Sequence, residues 1–171
     1  MTDDTTARAG SAIQVGIVVG SRSDIGAAER AMAVLDDLGV ASEIRVISAH
    51  RAPDLLSRFI AGAEVRGIRV FIAIAGLAAH LPGVVASQST RPVIGVPMAG
   101  GVSDGLDALL AIVQMPKGVP VATVGVGNGE NAALLAASIL AVGDAALGSR
   151  LLARRAAQAE AIAADPANEG L

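Results

Sequence analysis

Three stretches of this chain are apolar almost without interruption: Ile13–Val19, Ile68–Ala75 and Pro92–Val96. A strand reads this way when both its faces must be hidden, which happens in parallel sheets covered by helices on each side. Glu43–Ile47 alternates polar and apolar residues instead, the pattern of a half-exposed edge strand. Pro120–Val124 is a fifth, shorter candidate. Helical patterns lie between these runs. The first places Ile25, Ala28, Met32, Leu35 and Leu38 on one side, with Asp24 as its expected N-cap and Gly39 as its stop. The second starts at Pro53, tolerated in a first turn, and runs to Arg66 before Gly67. A short helix is expected after Gly83, another over Leu106–Val113, and one more from about Asn131.

Strand and helix alternate five times, which predicts an α/β domain: a three-layer α/β/α arrangement around a parallel five-stranded sheet. An edge-like second strand suits the flavodoxin-like order 2-1-3-4-5, whose switch point lies between strands 1 and 3. Residues 1–12 read as a disordered leader and 13–142 as the α/β domain. Residues 143–171 read as an extra C-terminal helix followed by a frayed tail. That helix is expected to start at a cap on Asp144. It carries Leu147, Leu151, Ala159 and Ile162 on one side, a surface for either a neighbouring subunit or its own domain.

Composition narrows the function. Of 171 residues, 53% are hydrophobic yet only two are aromatic, both Phe. The core must therefore be built from Ala, Val, Ile and Leu. So much small apolar surface on one small domain points to self-association. Net charge is −3, without the basic stripe or stacking aromatics of a nucleic-acid binder. With no cysteine there is no disulfide, thiolate nucleophile or thiolate metal site. Met1–Gly10 is polar and lacks the apolar region of a signal peptide. No apolar run reaches the ~18 residues of a membrane span. A soluble, cytoplasmic protein is expected.

The chemistry-bearing residues sit on turns that follow strands. Gly20-Ser21-Arg22-Ser23-Asp24 can present N–H groups and hydroxyls to a phosphate at a helix N-terminus, or it can be a simple cap. Ser48-Ala49-His50-Arg51 sets an imidazole, able to exchange protons near neutral pH, beside a permanent cation. Arg51 can bind a phosphate or be an ordinary surface residue, and His50 can be a general acid or base. Gly76-Leu77-Ala78-Ala79-His80-Leu81-Pro82-Gly83 brings the second and last histidine into an apolar setting. Two histidines thirty residues apart lack the spacing of a metal site, and no Gly-x-Ser-x-Gly elbow is present. A flavin carrier would want Trp or Tyr to stack on the ring. A phospho-receiver would want an acidic cluster after strand 1 and a lysine after strand 5.

Taken in order, these turns are specific. Together with Pro92-Val93-Ile94-Gly95-Val96-Pro97, Gly105–Pro116 and Gly118–Val124, they closely resemble the N5-carboxyaminoimidazole ribonucleotide mutase family (the class I phosphoribosylaminoimidazole carboxylase catalytic subunits) from about Val15 to Leu140. The resemblance implies an enzyme of purine biosynthesis that needs no ATP, metal or redox cofactor. It moves a carboxylate from N5 to carbon 4 of an aminoimidazole ribonucleotide by decarboxylation and recarboxylation. It also implies His50 as the acid/base. Ser21, Ser23, Asp24, Ser48 and Arg51 would bind substrate, and Gly76, Ala78, His80 and Leu81 would line the base and carbon dioxide pocket. A homo-octamer is implied as well. The alternative is a class II carboxylase that uses aminoimidazole ribonucleotide and carbon dioxide directly. Those enzymes differ around the second histidine, whereas this chain keeps Ala-Ala-His-Leu-Pro-Gly. It departs at Leu77, where many members have glycine, and over Gly125–Asn131.

Overall fold

The computed structural model describes residues 12–170, so most of the expected leader lies outside the described residues. Five strands, β1 (Val15–Val19), β2 (Ser42–Val46), β3 (Val70–Ala75), β4 (Val93–Pro97) and β5 (Ala122–Thr123), form one parallel sheet in the order β2-β1-β3-β4-β5. Six helices cover it: α1 (Ile25–Asp37), α2 (Pro53–Val65), α3 (Leu81–Gln88), α4 (Leu106–Val113), α5 (Gly129–Ala141) and α6 (Ala145–Ala163). This is the expected doubly wound, flavodoxin-like architecture. Among the described residues, no helix is long and apolar enough to cross a membrane.

The apolar runs fold as their patterning requires. β1, β3 and β4 are buried along their whole length. Side chains alternate across the sheet, which divides them between two cores. Val15, Ile17, Val19, Val70, Ile72, Ile74, Ile94 and Val96 pack with α1 and α5 on one face. Val18, Phe71, Ala73 and Ala75 pack with α2, α3 and α4 on the other. The scarcity of large side chains is felt most between α1 and α5. A Cβ on Gly129 would collide with the backbone of Ala27, so only glycine permits that approach.

Several expectations need correction. Asp24 precedes α1 but makes no capping bond. A 3-10 turn over Arg22–Asp24 comes first, capped by Ser21, whose hydroxyl accepts from Ser23 N–H at 3.4 Å. The inner face of α1 is Ala27, Ala28, Ala31, Val34 and Leu35, leaving Ile25 and Met32 only partly buried. Leu81 is the first residue of α3, not part of a loop. The strand expected over Pro120–Val124 shrinks to two paired residues. α5 starts at Gly129 because Asn128 takes the cap, its side chain accepting from Asn131 N–H at 2.9 Å. Asp144 caps α6 as expected, accepting from Leu147 N–H at 3.0 Å. Leu147 is buried and Leu151 partly so against the domain's own core, but Ile162 is exposed. Beyond α6, where fraying is expected, Pro166–Asn168 forms a 3-10 turn capped by Asp165.

β2 is the edge strand that alternation predicts, but its polar face is not a solvent face. Glu43 is only 2% exposed. Its carboxylate meets Arg45 Nη2 at 2.7 Å and Arg66 Nη2 at 2.9 Å, the second reaching over from the end of α2. The Arg66 guanidinium also lies 5.3 Å from the centre of the Phe59 ring, a favourable cation–π distance. A buried charge persists only when paired in this way. Glu43→Gln keeps the volume and removes the charge. We expect it to lower stability by about 1–3 kcal/mol, the worth of hydrogen bonds to a charged group. The check is the urea midpoint at fixed protein concentration; an unchanged midpoint would mean that the two arginines are merely surface contacts.

Candidate active site

The turns that leave the sheet at the carboxyl ends of β1, β2 and β3 enclose a cavity of about 540 Å³. Every candidate residue from the sequence lines it: Ser21, Ser23, Asp24, Ser48, His50, Arg51, Gly76, Ala78, His80 and Leu81. Backbone hydrogen bonds continue past the strand ends and fix the three turns at one level. Ile47 N–H donates to Val19 O at 2.9 Å, and Gly20 N–H donates to Ile74 O at 3.2 Å.

The Gly20–Asp24 turn forms the polar end. Ser21 caps the 3-10 turn, and Ser23 Oγ donates to Asp24 Oδ1 at 3.0 Å. Because Asp24 does not cap α1, its carboxylate remains on the cavity wall. Arg51 comes in from the second turn, donating from Nη2 to Gly20 O at 3.2 Å. Its turn is closed by Ala52 N–H to Ser48 O at 2.9 Å and Arg51 N–H to Ser48 Oγ at 3.3 Å. Serine 48 thus shapes the turn that presents His50 and Arg51.

The two histidines meet. His50 Nε2 and His80 Nδ1 are 2.6 Å apart, and the rings stand edge-on at 82° with centroids 4.8 Å apart. One facing nitrogen must donate and the other accept, since two N–H groups pointed at each other would repel. The contact therefore holds one proton between two rings that come from different strands. Both imidazoles are exposed to the cavity side, so the pair can pass that proton to a bound molecule. His80 stands just before α3, where Ala79 N–H to Leu77 O at 2.9 Å and His80 N–H to Ala78 O at 2.7 Å bend the chain tightly.

Gly20, Ala49, Ala75, Leu77, Met98 and Ala99 complete the lining. Met98 and Ala99 follow β4, and sequence reasoning missed them. The signal was available: β4 is β3's neighbour, so its carboxyl end must open onto the same crevice. Met98 N–H donates to Ala75 O at 3.0 Å, which brings this fourth turn to the cavity. The result is a pocket with serines, arginine, aspartate and histidines on one side and small or apolar residues on the other. It can hold an anion at one end, a flat polar ring near the imidazoles, and a small uncharged group against the apolar wall.

The chain is similar to known proteins in sequence and in fold. A Methanocaldococcus jannaschii protein named N5-carboxyaminoimidazole ribonucleotide mutase is 54% identical over 139 residues, 81% of this chain and 86% of that one. A Brucella melitensis protein of the same name is 47% identical over 159 residues, 92% of this chain and 98% of that one. The crystal structure of Treponema denticola PurE matches with a TM-score of 0.84 at 28% identity, covering 92% of this chain and 99% of that one. Residues 14–161 match the family described as AIR carboxylase. On the strength of that span and those identities, the chain belongs to the AIR carboxylase family.

Proposed function

We propose that this protein is an isomerase of purine biosynthesis that converts N5-carboxyaminoimidazole ribonucleotide to 4-carboxy-5-aminoimidazole ribonucleotide. The observation that carries the reading is the convergence of the anion-ready turn, Arg51 and the His50–His80 pair on one cavity. It is supported by relatives named for the mutase. Class II carboxylation is disfavoured by the same relatives.

The reaction balances without a co-reactant. The N5–carboxylate bond breaks, its electron pair returns to N5, and N5 takes up one proton as carbon dioxide forms. Carbon 4 then attacks the carbon dioxide and loses one proton. The net proton change is zero and no electrons leave the substrate. A single acid/base that first gives and then takes a proton is sufficient. In this reading His50 performs that exchange, and His80, 2.6 Å away, supplies and receives the proton that His50 carries. Ser21, Ser23 and the N–H groups at the start of α1 hold the phosphate, helped by the helix dipole. Arg51 adds its remaining N–H groups to the same anion, and Asp24 accepts from ribose hydroxyls. Ser48 holds the second turn in shape. Gly76, Ala78 and Leu81 line the region beside the ring, where carbon dioxide stays close to carbon 4 and away from water.

We further propose a homo-octamer in the cytoplasm, where phosphorylated metabolites are retained. What supports association is apolar surface that the single chain leaves uncovered. Leu106, Leu110 and Val113 are 51%, 44% and 49% exposed along one side of α4, at the spacing of a helix stripe. Leu152 and Ile162 of α6 are both 68% exposed. Sedimentation equilibrium should give eight times the chain mass, and a monomer would remove this part of the reading.

The decisive assay is conversion of N5-carboxyaminoimidazole ribonucleotide without ATP or metal, beside a parallel reaction from aminoimidazole ribonucleotide and bicarbonate. Fast turnover of the first alone is expected; turnover of the second at modest bicarbonate would make the protein a direct carboxylase. Two substitutions divide the site. His50→Asn should bind substrate and lose turnover by about 10²–10⁴-fold, the usual worth of a general acid/base. Arg51→Ala should leave the chemical step nearly intact and weaken binding by about 1.5–3 kcal/mol. Near-normal turnover in the first, or unchanged affinity in the second, would remove that residue from its role.

A further inference from the structure

Leu77 combines three features found together nowhere else among the described residues. Its φ is +56°, in the left-handed region, where a Cβ crowds the following carbonyl oxygen and a side-chain-bearing residue is strained. The residue is 63% exposed, so burial within the chain does little to offset that strain. It also lines the cavity, between Gly76 and Ala78. Strain of this kind persists where the surroundings hold it in place, and it collects at functional sites.

The side chain reaches across to the turn after β4. Its Cδ2 lies 3.0 Å from the point where a Cβ on Gly101 would stand, so it rests on the bare backbone there. Asp107 comes up to the same glycine, so a Cβ there would meet both side chains. Gly100, Gly101, Asp104 and Gly105 all have positive φ, and the turn is held by Gly105 N–H to Gly100 O at 3.1 Å and Gly100 N–H to Asp104 Oδ1 at 3.2 Å. Leu77 therefore joins the turn after β3 to the turn after β4, whose Met98 lies against Gly76 and, with Ala99, also lines the cavity.

We infer that Leu77 is a positioning residue: an apolar clasp across these two turns that closes this side of the cavity and keeps freed carbon dioxide beside carbon 4. This inference rests on the mutase reading given above. Carbon dioxide is small and uncharged, so hydrogen bonds hold it weakly. Its retention depends on a continuous apolar wall and on keeping water out. The backbone conformation of Leu77 directs the clasp outward to Gly101, while the tight bend that follows delivers His80 to His50. The clasp makes no contact with the phosphate or with the proton being moved. It acts by setting how long the two fragments stay together.

The test is turnover of N5-carboxyaminoimidazole ribonucleotide in isotopically labelled bicarbonate, kept in equilibrium with carbon dioxide. Label in the product, and free aminoimidazole ribonucleotide, both report escape. Wild type should incorporate little label. Leu77→Ala should raise both signals about tenfold, since small losses of positioning cost one to two orders of magnitude. Leu77→Met should restore retention. Leu77→Asn suits positive φ and keeps the turn while removing the apolar branch, so it should leak like the alanine variant even if that variant folds poorly. Equal label in wild type, Leu77→Ala and Leu77→Asn, with isomerisation intact, would overturn the clasp. No isomerisation by wild type would overturn the reading of the site itself, a separate and visible result.

Discussion

The position of β1 between β2 and β3 is the constraint on which the rest depends. Val15 pairs with Ser42 on one side and Val70 on the other, and the register runs unbroken to Val19. From its carboxyl end the chain passes to the face covered by α1 and α5. From β2 and β3 it passes to the opposite face, under α2 and α3. Connections that part in this way leave a crevice outside the carboxyl ends of β1 and β3. The ladder bonds from Ile47 and Gly20 hold its walls level. A one-residue slip of β2 would turn Ile47 away from the core and carry His50 with it.

Within that crevice the two sides do different work. On the polar side, two groups are tied to a neighbour on another turn: Arg51 to Gly20, His50 to His80. Such cross-turn bonds fix donors before any ligand arrives, which reduces the reorganisation left for binding. On the other side Ala75, Ala78 and Ala99 present little more than methyl groups. Short side chains have no rotamers to lose, so the surface is rigid for the same reason that it is small.

The sequence made the middle of this fold legible and its margins less so. Strands β1, β3 and β4 announce themselves because a strand buried on both faces has no position for a polar residue. All ten candidate site residues end at one cavity because each follows a strand, and topology does the rest. What stayed hidden depends on partners distant in sequence. Glu43 reads as a solvent-facing residue of an edge strand; it is buried because Arg66, on the far end of α2, closes over it. Asp24 reads as a cap, but Ser21 reaches the first free N–H before it. Met98 and Ala99 carry no reactive group to draw notice, and only the pairing of β3 with β4 brings them in. The overestimate of β5 has a local cause: Pro120 and the Gly125 turn leave little room for a ladder between them.

That short last strand has a consequence for how copies of the chain can meet. A strand at a sheet's edge is a template that another chain can extend, and proteins often blunt it by keeping it short. Here only Ile94 and Gly95 find partners on β5. On that flank the edge offers little ladder for an added strand. A contact between copies on that flank would rest on side chains, chiefly the exposed leucines and valine along α4, which packs over β4 and β5. Exposed strand edges invite repeated pairing, whereas a side-chain interface ends in a finite assembly when its symmetry closes, so the same truncation that weakens the sheet removes one route to fibres.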